Sequence, residues 1–146
     1  MKLSYWLRKW FWWPRPSLQP PIPLPNPTPL PTPATSGDLL LAVNTVRIRS
    51  GVPALLPDSG LMVGAADHAL TMRSQGRMSH DGFDRRLTGA GMRGGAENVA
   101  QGQQNADQCV ADWMTSPGHR RNMLGAYQWA GTGQAGTYWC LIVGSR

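Results

Sequence analysis

The stretch Trp113-Met-Thr-Ser-Pro-Gly-His-Arg-Arg-Asn-Met-Leu124 is the part of the chain around which the rest is organised. Pro117 fixes its own φ angle and lacks a backbone donor, so we expect it to end the preceding helix, and Gly118 allows the next bend. We therefore predict that His119 lies outside the helix, in a rigid turn that faces a cavity. The alternative is a plain corner between two helices, in which His119 is a bystander.

Hydrophobic spacing predicts amphipathic helices over residues 38–50, 58–76 and 105–116, and a short helix is expected at 85–90. Asp58 or Ser59 can cap the second of these helices. The predicted buried faces consist of Leu39, Leu40, Val43 and Val46; of Leu61, Ala65, His68, Ala69 and Met72; and of Ala106, Cys109, Val110, Trp113 and Met114. On such a face His68 is expected to be a core histidine hydrogen-bonded to a neighbour, and a ligand role is the alternative.

The end of the chain has the pattern of a β-hairpin. Residues 127–133 and 137–144 flank a turn at 134–136, and the second strand is apolar on both faces. A strand of this kind should be central and covered on both sides. Together with the helices, it predicts an α+β fold of three layers, with a small antiparallel sheet between helices.

Two further candidate site residues lie in glycine-bounded segments. His80 lies in the loop at 78–84, where adjacent Ser79 and Asp81 cannot form a catalytic relay with it because neighbouring side chains diverge. Glu97 is the only glutamate of the chain and follows a glycine-rich segment. A carboxylate in a cleft that faces histidines would titrate unusually, whereas a surface carboxylate would be unremarkable.

The first third of the chain differs in composition from the rest. Ten of the thirteen prolines lie between Pro14 and Pro33, so residues 14–37 are predicted to be a semi-rigid polyproline II linker. The alternative is a ligand for a proline-binding partner. The predicted organisation is thus a segment at 1–13, this linker, and a folded domain at 38–146.

Residues 1–13 contain four of the seven tryptophans, together with Lys2, Arg8 and Lys9. On a helix their apolar residues share one face, which is typical of a segment that lies at a membrane surface. The alternatives are an atypical signal peptide and a misplaced start codon. Residues 1–37 carry four of the six net positive charges, so the folded part lacks the basic patch of a nucleic-acid binder.

The order of several motifs resembles the bacterial branch of the CAP superfamily, which contains cysteine-rich secretory proteins, antigen 5 and pathogenesis-related proteins. These motifs are Leu-Leu-x-x-x-Asn-x-x-Arg from residue 39, Ser-His-x-Gly at 79–82, Glu-Asn-Val-Ala at 97–100, and Ser-Pro-Gly-His-Arg-x-Asn-Met-Leu at 116–124. The resemblance covers nearly all of residues 38–145. It implies an α-β-α sandwich with a cleft of histidines and acidic residues, sometimes around a divalent metal.

Transferred by position, the cleft residues are His80, Glu97 and His119. Ser116 stands where eukaryotic members have a second glutamate, and Ala96 replaces the usual glycine. A possible zinc set of His80, His119 and Glu97 would therefore be incomplete.

Two functions follow from this resemblance. We favour an extracytoplasmic, non-enzymatic binding module whose cleft takes a lipid, a small ligand or a divalent cation. The alternative is a hydrolase that uses metal-activated water at the same cleft, or Ser116 as nucleophile with His119 as base. Cys109 lies on the predicted buried face of the helix at 105–116, and Cys140 lies in the middle of the strand that we expect beneath this helix. Because extracytoplasmic relatives also use disulfides, a Cys109–Cys140 bridge is expected, with two buried thiols as the alternative.

Overall fold

The computed structural model describes residues 36–146. The elements in chain order are α1 (Ser36–Arg49), β1 (Leu56–Pro57), α2 (Ser59–Gln75), α3 (Phe83–Gly89), β2 (Gly94–Gln101), α4 (Ala106–Thr115), α5 (Pro117–Leu124), β3 (Trp129–Ala135) and β4 (Tyr138–Ser145). The predicted membrane-surface segment at 1–13 and the linker up to residue 35 lie outside the described residues. No helix within residues 36–146 has the length and apolar character needed to cross a bilayer.

The sheet has four strands in the order β1-β3-β4-β2. β4 pairs antiparallel with both β2 and β3, whereas the two-residue β1 runs parallel to β3. Residues 138–144 are buried throughout. This confirms the prediction that the apolar strand is central, since a strand covered on both faces must be apolar on both. Strands β1 and β2 were not predicted from the sequence.

Helices cover both faces of the sheet, which gives the predicted three-layer α-β-α sandwich. Trp139, Leu141 and Val143 of β4 pack in one hydrophobic cluster with residues of α1, α4 and α5. Cys140 and Ile142 pack in a second cluster with residues of α2 and α3. This division follows from the two-residue period of side chains along a strand.

The predicted disulfide is wrong. Cys109 and Cys140 are both free and buried, and they belong to the two different clusters. The prediction placed Cys140 beneath α4, but strand alternation turns its neighbours Trp139 and Leu141 toward that helix and Cys140 toward α2. Burial raises the pKa of both thiols, so both are protonated at neutral pH.

Helix α2 agrees closely with its prediction. Asp58 accepts a hydrogen bond from the amide of Leu61 at 2.9 Å, and Gly76 ends the helix in the left-handed conformation. The predicted inner face is buried over its whole length: Leu61, Ala65, His68, Ala69 and Met72. α2 lies so close to β3 that Gly131 and Gly133 leave no space for a side chain.

The predicted face of α1 omitted its most unusual buried residue, Arg47, which is 1% exposed. Its guanidinium donates to the carbonyls of Pro53, Met123, Gly125 and Tyr127. Desolvation by burial lowers the pKa of Arg47. The side chain therefore ties the end of α1 to the chain that follows α5. Of the other residues predicted to be buried, Leu40, Val46 and Met114 are partly exposed.

The prediction of a rigid turn at Pro117 is wrong, because helix α5 begins at this residue. This proline is the first residue of a new helix, where its missing amide donor is not needed. His119 consequently lies in the first turn of α5 and not in a rigid loop.

Candidate functional site

Glu97 on β2 is the centre of a buried polar cluster. Its side chain is 1% exposed, and each carboxylate oxygen has a partner. Oε1 accepts from Nδ1 of His80 at 2.9 Å, and Oε2 accepts from Nη2 of Arg86 at 2.6 Å. An ionised carboxylate only accepts hydrogen bonds, so Nδ1 of His80 carries the hydrogen in this contact.

The loop that carries His80 is fixed on both sides of that residue. His68 on α2 donates from Nε2 to the carbonyl of Ser79 at 2.6 Å, because a carbonyl only accepts. Arg86 on α3 donates from Nη1 to the carbonyl of Asp81 at 2.7 Å. The His80 side chain remains 58% exposed. One of its nitrogens is therefore held by buried Glu97 while much of the ring faces solvent.

His68 thus has the expected structural role and also an unexpected position. It is a buried histidine with a hydrogen-bonded neighbour, as predicted from its place on α2. Its Nε2 also lies 3.9 Å from Oε1 of Glu97, so it belongs to the surroundings of the site. Helical spacing could show that His68 faces inward but not that Glu97 lies next to it.

A second set of contacts holds His119 on the other side of β2. Asn98 donates to the His119 carbonyl at 3.0 Å and accepts from Asn122 at 2.9 Å. The His119 ring lies 6.3 Å from the ring of Trp113, centre to centre. Burial lowers the pKa of His119, and the nearby His80 lowers it further. His119 therefore lies near enough to His80 for their charges to interact, and its burial favours the neutral ring.

Ser116 lies at the start of α5 without the contacts of a nucleophile. It occupies the N-cap position, but its side chain makes no capping hydrogen bond. Within residues 36–146, the structure shows no hydrogen bond between its hydroxyl and His119. The predicted pairing of Ser116 with a histidine base is thus not formed, because Pro117 starts α5 directly after Ser116.

The predicted metal set is not assembled. Across residues 36–146, no group of three or more His, Cys, Asp or Glu side chains is placed to hold a metal ion. The Arg86 guanidinium holds the Glu97 oxygen that a metal would need, and a cation there would repel it. His80, His119 and Glu97 therefore do not fit a divalent metal as arranged.

Sequence reasoning missed Arg86, Asn98 and Asn122. Asn98 and Asn122 lie within the motifs at 97–100 and 116–124, so the motifs could have indicated them. For Arg86 the only signal was general: a buried carboxylate needs a charged or hydrogen-bonding partner. The sequence contains ten arginines after residue 38, and nothing in their spacing distinguishes Arg86 from the others.

A polar groove of about 470 Å³ adjoins this cluster. It includes His68 and Arg86, which contact the Ser79 and Asp81 carbonyls. Its lining residues are Gly64, Asp67, His68, Thr71, Asp81, Gly82, Arg85 and Arg86. The polar cluster therefore has solvent-accessible space beside it on the α2 and α3 side of the sheet.

The chain is similar to known proteins in both sequence and structure. The model of the cysteine-rich secretory protein family, CAP, matches residues 40–138. No curated protein matches the chain significantly. An extracellular protein containing a SCP domain from Bacillus anthracis str. Ames has a similar structure, with a TM-score of 0.70 and 22% identity over 77% of this chain and 41% of its own.

Two further solved structures are similar. A cysteine-rich secretory protein from Staphylococcus aureus subsp. aureus Mu50 has a TM-score of 0.68 and 22% identity, over 76% of this chain and 38% of its own. An outer surface protein from Borrelia burgdorferi has a TM-score of 0.67 and 18% identity, over 74% of this chain and 90% of its own. The similar region thus spans about two fifths of the first two proteins. At these identities the likeness establishes the fold alone.

Proposed function

The chain belongs to the CAP family of cysteine-rich secretory proteins, and from this premise we propose that its folded domain is an extracytoplasmic, non-enzymatic binding module. The recognition site is the cleft around His80, Glu97 and His119. The extracytoplasmic location is supported by two similar structures, one of an extracellular protein and one of an outer surface protein. The ligand is a small polar molecule or a lipid headgroup.

One observation carries the preference for binding over turnover. Both oxygens of Glu97 are already held, by His80 and by Arg86, so this carboxylate is not free to activate water. A nucleophilic mechanism needs a hydroxyl or thiol hydrogen-bonded to a base. Among the described residues, neither His80 nor His119 has such a partner. The Cys140 thiol donates to Oε2 of Glu97 at 3.7 Å, but it is fully buried, and burial raises its pKa, so it is not available as a nucleophile. The site offers oriented hydrogen-bonding groups without a reacting group.

The choice of a polar ligand follows from the exposed chemistry. His80 is more than half exposed, and the adjoining groove contains two arginines and two aspartates. Such a surface can orient a ligand through hydrogen bonds and charge. The polar part of a ligand is thus the part we assign to this cleft.

The test is to identify what the protein carries when it is isolated from its native host. Native mass spectrometry and solvent extraction are applied to wild-type protein, to a His80→Ala/His119→Ala variant, and to Asp107→Asn as a control. Asp107 is an exposed residue in the first turn of α4 and is absent from the contacts of the cleft. We expect a bound small molecule or lipid in the wild type and the control, and its loss in the double variant.

Two results would contradict the proposal. Equal recovery of the bound molecule from the double variant would place its site elsewhere, and absence of any bound molecule from wild-type protein would also count against it. Turnover of a peptide or ester that is lost in His119→Ala would instead support the hydrolase.

We also propose that residues 1–13 attach the protein to a membrane surface. Their tryptophans and cations are the support for this proposal. In flotation with anionic phospholipid vesicles, full-length protein should rise with the vesicles and a variant that starts at residue 38 should not. Equal recovery of both in the aqueous fraction, or removal of the segment from mature protein, would refute it.

A further inference from the structure

The guanidinium of Arg86 provides the positive charge that balances the buried Glu97 carboxylate. Its side chain is 14% exposed, and it reaches from α3 to the fully buried Glu97 carboxylate. A second guanidinium nitrogen donates to the carbonyl of Asp81, which immediately follows His80. One residue therefore neutralises the buried carboxylate and fixes the backbone beside the exposed histidine. The fixed fork of a guanidinium suits such a double contact.

This placement conflicts with metal binding. Zinc binds a carboxylate oxygen at about 2.0–2.2 Å and a histidine nitrogen at about 2.0–2.1 Å. In this site, Oε2 of Glu97 is held at 2.6 Å by Arg86, and Oε1 is held at 2.9 Å by a nitrogen that carries hydrogen. A metal would have to displace the guanidinium, remove the His80 hydrogen bond, and remain next to a positive charge.

The same contacts determine what His80 presents to solvent. Because Glu97 is paired with Arg86, it stays an acceptor and keeps the hydrogen of neutral His80 on Nδ1. The other nitrogen, Nε2, then has a lone pair. Within residues 36–146 the structure shows no hydrogen bond to Nε2.

We propose that the Arg86 guanidinium supplies, at Glu97, the positive charge that a divalent metal would otherwise supply. The hydrogen bond between Glu97 and His80 then leaves Nε2 of His80 as a hydrogen-bond acceptor for a ligand that donates one. Arg86 is a positioning residue in this scheme. The inference rests on the proposed binding function only for the statement that a ligand uses this acceptor. The ligand class is one with a hydroxyl or amine group.

Zinc binding tests the first half. Full-length wild-type protein, Arg86→Met and Arg86→Met/His80→Ala are titrated with zinc chloride by calorimetry, and bound zinc is measured after dialysis. We expect no stoichiometric zinc in the wild type. Arg86→Met should bind zinc at least about tenfold more tightly, because the substitution frees Oε2 of Glu97 and removes the positive charge that repels a cation. The double variant should lose this gain.

Stoichiometric zinc on the wild type that is lost in Glu97→Gln would overturn the proposal. Unchanged weak binding in a folded Arg86→Met would also count against it, because Arg86 would not be what excludes the metal. If Arg86→Met does not fold, zinc binding by the wild type and the tautomer of His80 still test the proposal.

The tautomer of His80 tests the second half. Nitrogen-15 NMR of the imidazole rings, at mildly alkaline pH where histidine is neutral, distinguishes a protonated Nδ1 from a protonated Nε2. We expect the Nδ1–H form in the wild type and a shift toward the Nε2–H form in Glu97→Gln. An Nε2–H form in the wild type would refute the scheme. Neither measurement uses the ligand. Absence of a bound molecule would therefore refute the binding function and the use of Nε2 by a ligand, and it would leave the roles of Arg86 and Glu97 standing.

Discussion

The substitution Gly133→Ala should destabilise the domain strongly, because α2 lies directly on this position of β3. A Cβ atom at residue 133 would meet the carbonyl oxygen and carbon of Ala65 at 2.3 and 2.4 Å, and the amide nitrogen of Ala66 at 2.5 Å. Ordinary contact begins near 3.4 Å, so α2 would have to move by about 1 Å. The atoms met are backbone, and no side-chain rotation can relieve them.

Overpacking of a well-filled core costs about 1–3 kcal/mol, and a clash with helix backbone belongs at the upper end. For a domain of this size, about 3 kcal/mol corresponds to a decrease in Tm of roughly 12 °C. The expected decrease is thus large enough to measure by thermal melting followed by circular dichroism.

Gly94→Ala is the matched control. Gly94 also lies in a strand, has no positive φ, and has nothing within 4 Å of an added Cβ. Its replacement should leave Tm unchanged or raise it slightly, because alanine reduces the freedom of the unfolded chain. Equal melting temperatures for the two variants would refute the close contact between α2 and β3.

Three further predictions concern single residues. His119 has a lowered pKa in the folded protein, so the unfolded state binds more protons. The free energy of unfolding should therefore fall as the pH decreases from about 6.5, and it should fall less in His119→Gln. Urea titrations at several pH values would show this. Arg47→Met should cost about 3 kcal/mol in urea because it leaves buried carbonyls unpaired, and a cost below about 1 kcal/mol would contradict this role. Cys109 and Cys140 should both react with a thiol reagent in denatured, unreduced protein, and fewer than two reactive thiols would restore the disulfide.

Much of the fold could be predicted because it depends on local pattern. The inner face of α2 follows from a period of 3.6 residues, and the central position of β4 follows from an unbroken apolar run. β2 was missed because glycine and polar residues interrupt its pattern, and because its partner strand β4 begins only at Tyr138. Strand pairing of this kind depends on tertiary context that propensity does not contain.

The site was predictable only in part, for a related reason. Motif position indicated His80, Glu97 and His119, but their partners come from other elements. Arg86 became the counter-charge of Glu97 only because α3 packs against β2. The disulfide prediction was wrong because a shift of one residue along a strand moves a side chain to the opposite face of the sheet. The apolar run of β4 does not show which of its residues face α4, since it is apolar on both faces.

The adjacency of Glu97 and Asn98 explains how one short motif organises both halves of the cleft. β2 is an edge strand, and successive side chains on a strand point to opposite faces. Glu97 accordingly contacts His80 and Arg86 on the α2 and α3 side, whereas Asn98 holds the His119 carbonyl on the α5 side. His80, which is exposed, and His119, which is half-buried, thus lie on opposite faces of the sheet at the same edge strand. Each histidine is therefore attached to β2 by a different one of two adjacent residues, the His80 ring by Glu97 and the His119 carbonyl by Asn98.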